Sequence, residues 1–294
     1  MKTTRRAFFK ETAVGLLSTM FLKSQSKIAY ARSKRVKFKI GAPDWNLGQE
    51  AKVESIGLAK RIGFDGVQIS LGVGKDKLPL GDPGLQQAFL IESKRVDLPL
   101  ASVCLNILHR NILKSDPLGQ RWVADAIPIA KNLGVQVILL PFFGRGALTS
   151  RAEMEYVGDS LREIAPAAEK ARVILGLEDT ISAKDNVLIM DRAKSPAVLV
   201  YYDVGNSTQN GFDILKEIRW LGRERICEVH LKDNPHYLGQ GKIDFVAVID
   251  ILADIGFDQW AQLECDSPAG SVENDMTINL KYVRRIAAEQ NRSR

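Results

Sequence analysis

From residue 36 onward, short runs of apolar residues alternate with longer stretches in which apolar residues recur every three or four positions. The short runs are nearly continuous, which is typical of strands buried on both faces of a parallel sheet. This pattern predicts eight strands, at residues 36–42, 66–71, 98–105, 135–140, 173–178, 198–203, 226–231 and 260–264. The longer stretches predict eight helices, at residues 49–62, 84–94, 118–133, 152–172, 183–193, 211–221, 244–255 and 272–289.

Strands and helices alternate along the chain, as in a fold built from repeated strand–helix units. Gly134 and Gly256 each lie at a predicted helix end just before the next strand, which is a C-cap signal. The 263 residues after residue 31 leave about 33 for each of eight units, close to a (β/α)8 barrel of roughly 250 residues. No Gly-x-Gly-x-x-Gly opens the first helix, which disfavours an open doubly wound sheet. We therefore predict an α/β protein with a single (β/α)8 TIM barrel over residues 32–294.

The first 31 residues have the pattern of an export signal. The pair Arg5-Arg6 precedes a ten-residue run without charge at residues 13–22, which is too short to cross a bilayer as a stable helix. Small residues follow at Ala29 and Ala31, the spacing that a signal peptidase accepts. This order predicts a twin-arginine-type signal peptide at residues 1–31, cleaved after Ala31. A retained amphipathic helix or membrane anchor is the alternative.

A signal of this type implies that the protein is periplasmic or otherwise exported, with the twin-arginine export machinery as a partner. No later segment has 18 consecutive apolar residues, so we expect no stable membrane span after cleavage. The sequence leaves the oligomeric state open, and a homo-oligomer is one possibility.

Charge argues against a nucleic-acid partner. The whole chain has a formal net charge of +6, but residues 1–31 contain six basic residues and one acidic residue. The remaining 263 residues therefore carry a net charge of only +1. Attraction to a phosphate backbone would be weak for such a body. A composition of 45% hydrophobic and 26% charged residues also excludes extended disorder.

Four chemically active residues stand at the ends of the last four predicted strands: Glu178, Asp203, His230 and Glu264. Active sites of (β/α)8 barrels lie at the carboxyl ends of the strands, so these side chains should meet. Any one of them alone has an ordinary explanation as a helix cap or an ion-pair partner. Three carboxylates and an imidazole in one confined site, however, need a cation to remain ionised. The oxygen-rich set favours one divalent ion, Mn²⁺ first and Mg²⁺ or Co²⁺ next, over a structural zinc.

The segments LEDT, YYDVGN, VHLKDN and LGQGKIDF, which carry or follow these residues, resemble the xylose isomerase-like barrel superfamily of sugar isomerases and epimerases. Within it they are most similar to ketopentulose 3-epimerases that act on pentulose 5-phosphates. The resemblance runs from about Phe38 to about Ile286, with the specific motifs in the later half. It implies that the four strand-end residues bind the metal and that Glu178 and Glu264 form an acid/base pair.

The implied reaction is isomerisation or epimerisation of a ketose-like sugar by abstraction of an α-proton through an enediolate. Epimerisation needs a base on one face of the planar intermediate and an acid on the other. Because Glu178 and Glu264 come from strands on well-separated parts of the rim, they could occupy opposite faces.

Six further residues are predicted to contact the carbohydrate substrate. Trp45, Phe142 and Phe143 offer flat apolar rings for the C–H faces of a sugar, although rim packing explains such rings equally well. Asn206 stands where many relatives have a substrate-contacting histidine, and His236 where some have an arginine. Lys232 could orient the substrate or the metal ligands.

The loops after the fifth and eighth strands predict an unphosphorylated substrate. A phosphate site at a barrel rim needs backbone N–H groups together with arginine or lysine. The loop after strand five has Lys184, which is better explained as a solvated helix residue, and the segment after strand eight has Asp266, Glu273 and Asp275. These acids would repel a phosphate near Glu264.

Two other functions remain open at this point. A lyase or hydrolase acting on 3-keto-glycosides would use the same metal site and the same abstraction of an α-proton. A non-catalytic carbohydrate-binding barrel is the other, although binding alone needs no acid/base pair. DNA-repair endonucleases of the same fold have histidine-rich multi-zinc sites, whereas this chain has three histidines.

Overall fold

Eight parallel strands pair in chain order, and the eighth pairs with the first, so the sheet closes into a barrel. The structure is a computed structural model that describes residues 35–293. It confirms the predicted (β/α)8 TIM barrel, whereas the predicted signal peptide lies outside the described residues. The strands are β1 (Lys39–Pro43), β2 (Gly66–Ser70), β3 (Leu100–Cys104), β4 (Val137–Pro141), β5 (Ile174–Glu178), β6 (Val198–Asp203), β7 (Ile226–Leu231) and β8 (Trp260–Leu263).

Helices connect the strands on the outside of the barrel. Within the described residues they are α1 (Glu54–Ile62), α2 (Pro83–Val96), α3 (Pro117–Leu133), α4 (Arg151–Ala171), α5 (Ala183–Ala193), α6 (Val204–Gln209), α7 (Ile214–Leu221), α8 (Phe245–Asp254) and α9 (Val272–Ser293). None of these helices combines the length and the apolar content that crossing a bilayer requires.

Short polar side chains cap the start of most of these helices, and glycines stand at the ends of several of them. The N-cap side chains that accept a hydrogen bond from a backbone N–H of the first turn include Asp82, Asp116, Ser150, Ser182, Asp213 and Asp244. Gly134 and Gly256 have φ angles of 72° and 75° at the predicted helix ends. An L side chain rarely adopts this backbone conformation, which explains why glycine stands there.

Two helices begin three or more residues later in the structure than predicted, and both differences fall in loops above the barrel. The helix predicted from residue 49 begins at Glu54, because residues 44–53 form turns in which Ala51 has a φ of 54°. The helix predicted from residue 211 begins at Ile214 and is preceded by the separate short helix α6. Asp203, at the end of β6, caps α6 with its side chain.

The barrel has an apolar layer outside the strands and a mixed layer inside them. Apolar side chains fill the space between strands and helices. Inside the barrel, the Glu228 carboxylate accepts hydrogen bonds from residues of β3, β6 and β8, namely Ser102, Tyr201 and Gln262. These buried polar groups form the layer directly below the carboxyl ends of the strands.

Candidate active site

Four side chains meet at the carboxyl ends of four successive strands. Glu178 and Asp203 end β5 and β6, His230 is the penultimate residue of β7, and Glu264 directly follows β8. Asp203 pairs with His230 in the register of β6 and β7, which sets these side chains next to each other. One potential ligand atom from each of the four residues lies within 4.8 Å of the others. The four residues are therefore close enough to share one ion, and their role as metal ligands stays a prediction.

The two ring nitrogens of His230 have different partners. Nδ1 lies 2.7 Å from Glu178 Oε1, 3.4 Å from Glu264 Oε2 and 3.8 Å from Asp203 Oδ2. On the other side of the ring, Nε2 lies 3.2 Å from Oε1 of Gln68, a fully buried residue of β2. Because an amide oxygen only accepts hydrogen bonds, Nε2 carries a proton. Nδ1 is then the nitrogen that can face a metal.

Lys232 adds a positive charge to the cluster. Its Nζ lies 2.7 Å from Asp203 Oδ2 and donates a hydrogen bond of 2.5 Å to Glu264 Oε2. The other oxygen of Glu264 accepts a hydrogen bond of 3.1 Å from Trp45 Nε1. Contacts at both oxygens fix the orientation of the Glu264 carboxylate.

Burial and neighbouring charges shift the ionisation of these groups. Burial raises the pKa of Glu178 to about 7, because removal from water disfavours the carboxylate. Burial alone would lower the pKa of His230, but the charges of Glu178 and Glu264 raise it to about 10. Burial also opposes ionisation of Asp203, yet the charges of Lys232 and His230 hold its pKa below the usual range. Without a metal, the imidazolium of His230 and the ammonium of Lys232 thus neutralise part of the negative charge of the carboxylates.

The composition and charge of the cluster fit a divalent cation. Three carboxylates and one imidazole are ligands that Mn²⁺, Mg²⁺ and Co²⁺ accept. If all three acids are ionised, the two positive charges of His230 and Lys232 leave one negative charge uncompensated. Replacing the proton on His230 Nδ1 with a divalent ion brings the positive charge to three and balances the three acids. Lys232 then neutralises the carboxylate charge that the ion leaves over.

A cavity of about 470 Å³ opens directly above the cluster. Both glutamates of the cluster line it, together with the predicted substrate contacts Trp45, Asn206 and Lys232. The volume lies within the range of small-molecule sites. Another groove, of about 660 Å³, runs on the outer surface between α4, α5 and α7. It contains none of the four candidate ligands, so we assign the site to the cavity.

Two predicted substrate contacts are not in this cavity. Phe142 is only 1% exposed and packs in the hydrophobic core, whereas the next residue, Phe143, lines the cavity wall. Of these two predicted aromatic contacts only Phe143 reaches the cavity, since consecutive residues after a strand point in different directions. His236 is exposed and lines a separate, smaller cavity of about 240 Å³ next to Asp233. The structure thus places His236 outside the cavity that holds the glutamates.

The structure also brings polar residues from the first half of the chain into the cavity wall. Glu50, Ser70, Asn106 and His109 all line it. Asn106 Nδ2 donates a hydrogen bond of 2.5 Å to Glu50 Oε1, joining the loops that follow β1 and β3. Glu50 and Asn106 were not predicted from the sequence, because they stand in connecting segments rather than at strand ends.

A buried polar network below the cluster was also missed. Tyr201 Oη donates to Glu228 Oε2 at 3.1 Å and lies 3.4 Å from Gln68 Oε1. Burial raises the pKa of Glu228 to about 7. The alternation of side chains along β7 places Glu228 on the same face as His230, and this spacing was the signal available in the sequence.

Similarity to known proteins assigns the chain to a family. The family model described as a xylose isomerase-like TIM barrel matches residues 56–286, more than half of the chain. The chain belongs to this family. An L-ribulose-5-phosphate 3-epimerase of Escherichia coli is 26% identical over 254 residues, covering 76% of this chain and 87% of that protein. A 2-epi-5-epi-valiolone 7-phosphate 2-epimerase of an Actinoplanes species is 25% identical over 202 residues, covering 67% of this chain and 73% of that protein.

Solved structures agree on the fold. The D-psicose 3-epimerase of Clostridium cellulolyticum H10 superposes with a TM-score of 0.72 at 19% identity, covering 85% of this chain and 99% of that chain. At this identity the likeness supports the fold alone. The two sequence relatives are epimerases by name, and similarity to them over most of the chain identifies the protein as an enzyme.

Proposed function

We propose that this enzyme is a metal-dependent isomerase or epimerase of a ketose-like sugar that removes the proton from the carbon next to the carbonyl group. One observation carries the proposal: Glu178 and Glu264 line the same cavity and belong to the same cluster as Asp203 and His230. A protein that only binds sugar needs no such pair of glutamates. The two epimerases among its relatives support the same class of reaction.

Glu178, Asp203, His230 and Glu264 would hold one divalent cation, with Mn²⁺ favoured over Mg²⁺ and Co²⁺. When bound, the cation supplies the positive charge that stabilises an enediolate and makes the adjacent C–H acidic. Gln68 accepts the Nε2–H of His230, which leaves Nδ1 as the ligand atom.

The two glutamates carry out the two proton transfers of the reaction. One carboxylate accepts the proton of the α-carbon from one face, and the other glutamate, protonated, donates a proton to the opposite face. The configuration inverts and the enzyme's proton count is unchanged. A positioned carboxylate contributes roughly 10²–10⁴-fold to such a transfer.

Incorporation of solvent deuterium tests the proposal. Protein loaded with Mn²⁺ is incubated in D₂O with free ketoses and, separately, with 3-keto-glycosides. We expect deuterium at the α-carbon of a ketose together with its epimer or aldose isomer, and no incorporation after chelation of the metal. Release of an aglycone from a keto-glycoside would instead assign the enzyme to the lyases or hydrolases. Absence of exchange with every substrate would contradict the proposal.

We also propose that residues 1–31 are a twin-arginine signal peptide and that the mature enzyme is periplasmic or otherwise exported. Arg5-Arg6, the short apolar run and the small residues before Arg32 support this. N-terminal sequencing of the exported protein should begin at Arg32, and replacing both arginines with lysine should keep the chain in the cytoplasm. Export that continues after this replacement would rule out the twin-arginine route.

A further inference from the structure

The cavity wall opposite the ligand cluster is polar, and the proposed reaction does not use it. Asn106 and His109 lie in the short turn of helix after β3, and Glu50 lies in the loop after β1. In an eight-stranded barrel, β3 lies across from β7 and β1 across from β5. These residues therefore face His230 and Glu178 from the far side of the mouth.

This wall contains a buried polar atom that has no hydrogen-bond partner. Asn106 is only 8% exposed, and its Oδ1 is buried without a hydrogen-bond partner. Its Nδ2 is engaged by Glu50 Oε1, so the amide cannot turn over without breaking that bond. An unpaired buried oxygen carries a desolvation penalty that a ligand donor would relieve. The Asn106 Oδ1 and the Glu50 carboxylate both accept hydrogen bonds, so the matching ligand group must be a donor.

The charges of the residues that line the cavity determine which kind of ligand group can bind there. Three carboxylates line it, those of Glu50, Glu178 and Glu264. Among the described lining residues the single lysine or arginine is Lys232, and its Nζ is held by Asp203 and Glu264. With the proposed ion and Lys232 balancing the carboxylates of the cluster, Glu50 carries the uncompensated negative charge of the lining. A phosphate or carboxylate offers mainly acceptors and negative charge, so Glu50 would repel it. A sugar hydroxyl can donate to Glu50 or Asn106.

Aromatic surface completes the wall. Phe143 is half-buried and lines the cavity, with its ring centroid 6.3 Å from that of His109 and the two planes tilted by 30°. Such rings can cover the C–H face of a sugar while the neighbouring acceptors bind its hydroxyls.

We propose that Glu50, Asn106, His109 and Phe143 form a distal subsite that binds the hydroxyl-bearing end of an uncharged sugar and excludes a phosphorylated one. The proposal rests on the function proposed above and adds the substrate class and the residues that select it. Glu50 is the specificity-determining residue, because it both accepts from a hydroxyl and repels an anion.

Three probes that differ only at the carbon remote from the carbonyl test the subsite: D-fructose, 6-deoxy-D-fructose and D-fructose 6-phosphate. Calorimetric titration of the Mn²⁺-loaded protein gives Kd, and deuterium exchange gives kcat/KM. We compare the parent with Glu50→Gln, which retains an oxygen for Asn106 Nδ2, and with Asn106→Ala. Glu54→Gln is the matched control, since Glu54 is an exposed glutamate in the first turn of α1. Circular dichroism verifies that each variant is folded.

We expect the parent to bind D-fructose more tightly than either analogue. Glu50→Gln should weaken D-fructose binding by about tenfold or more, the loss of a hydrogen bond to a charged group. It should leave the Kd for 6-deoxy-D-fructose nearly unchanged. It should also bring the Kd for D-fructose 6-phosphate closer to the Kd for D-fructose. Asn106→Ala should act in the same direction on D-fructose, and Glu54→Gln should match the parent for all three probes.

The subsite is refuted if Glu50→Gln weakens D-fructose and 6-deoxy-D-fructose equally, if the parent prefers the phosphate, or if the parent binds no D-fructose. Binding that depends on Glu50 without deuterium exchange would support the subsite and contradict the proposed reaction. Deuterium exchange at the parental rate in Glu50→Gln would support the proposed reaction and contradict the subsite.

Discussion

His230 shows how one residue can depend on groups from both halves of the chain. Its Nδ1 faces the carboxylates of the cluster, and its Nε2 contacts Gln68 Oε1 at 3.2 Å. Gln68 lies on β2, far from His230 in sequence, and is fully buried. A group that orients a metal ligand from behind commonly changes metal affinity by about 10- to 100-fold.

We therefore expect Gln68→Leu to weaken Mn²⁺ binding by about tenfold or more, because His230 loses the acceptor that orients its ring. Calorimetry on the metal-free protein measures this Kd. Gln68→Glu keeps an acceptor oxygen and should weaken binding less. Gln86→Leu is the control, since Gln86 is also buried but donates to Leu80 O away from the site. Equal Mn²⁺ affinity in Gln68→Leu and the parent would show that Gln68 does not orient His230 for metal binding.

At the two glutamates, Glu178→Gln and Glu264→Gln should each abolish α-proton exchange, with a loss of at least about 10²-fold. Each change keeps the shape of the side chain and removes the proton acceptor. Deuterium wash-in measures the effect, and Glu163→Gln on the exposed surface of α4 is the control. A variant that retains the parental exchange rate would exclude its glutamate from the acid/base pair.

At the scale of elements, one buried side chain ties the loop after β1 to the end of β2. Asp44 is fully buried and accepts hydrogen bonds from Ser70 N, Ser70 Oγ and Ala51 N. These bonds tie the loop that carries Trp45 and Glu50 to the end of β2. Burial raises the pKa of Asp44 to about 6, against an ordinary value of 3.8.

This shift predicts a pH-dependent contribution of Asp44 to stability. A raised carboxyl pKa means that the folded state binds the proton more tightly than the unfolded state. The contribution is therefore full below pH 3.8 and is lost as the pH rises to about 6. Asp44→Asn does not titrate, so relative to this variant the parent should lose up to about 3 kcal/mol between pH 4 and pH 7. Urea unfolding across this range measures the difference.

An exposed aspartate in the loop after β2 provides the control for that measurement. Asp76→Asn should leave the free energy of unfolding within about 0.5 kcal/mol of the parent value at each pH. A constant difference between Asp44→Asn and the parent from pH 4 to pH 7 would contradict the assignment.

At the scale of the whole molecule, closure of the barrel assembles the site. β8 pairs with β1, so Trp45 from the start of the described chain reaches Glu264 near its end. The candidate ligands span β5 to β8, and bridging them with an ion would connect half of the rim. Metal binding should therefore stabilise the entire barrel rather than one element.

We expect a hundredfold excess of Mn²⁺ over its Kd to raise the free energy of unfolding by about 2.7 kcal/mol. Chelation should reverse the gain, because only the folded state brings the four residues together. Asp203→Asn removes one ligand charge and should abolish most of the increase. Thermal and urea unfolding with and without Mn²⁺ measure it, and an equal increase in Asp203→Asn would place the ion elsewhere.

The sequence by itself determined the barrel and the four candidate ligands. Continuous apolar runs at regular spacing indicate a parallel sheet, and parallel strands in a closed barrel end on the same rim. A chemically active residue at the end of each strand therefore faces the same space, whatever the loops do. For this reason Glu178, Asp203, His230 and Glu264 could be identified as a group without coordinates.

Only the tertiary structure decided which loop residues border the cavity. Phe143 rather than Phe142 reaches it, Glu50 meets Asn106 across 56 positions of sequence, and Gln68 meets His230 across 162. These contacts depend on the φ and ψ angles of irregular segments and on the barrel register, and neither has a periodic signature in the sequence. Strand ends are thus specified locally, whereas the contacts that complete the site exist only once the barrel has closed.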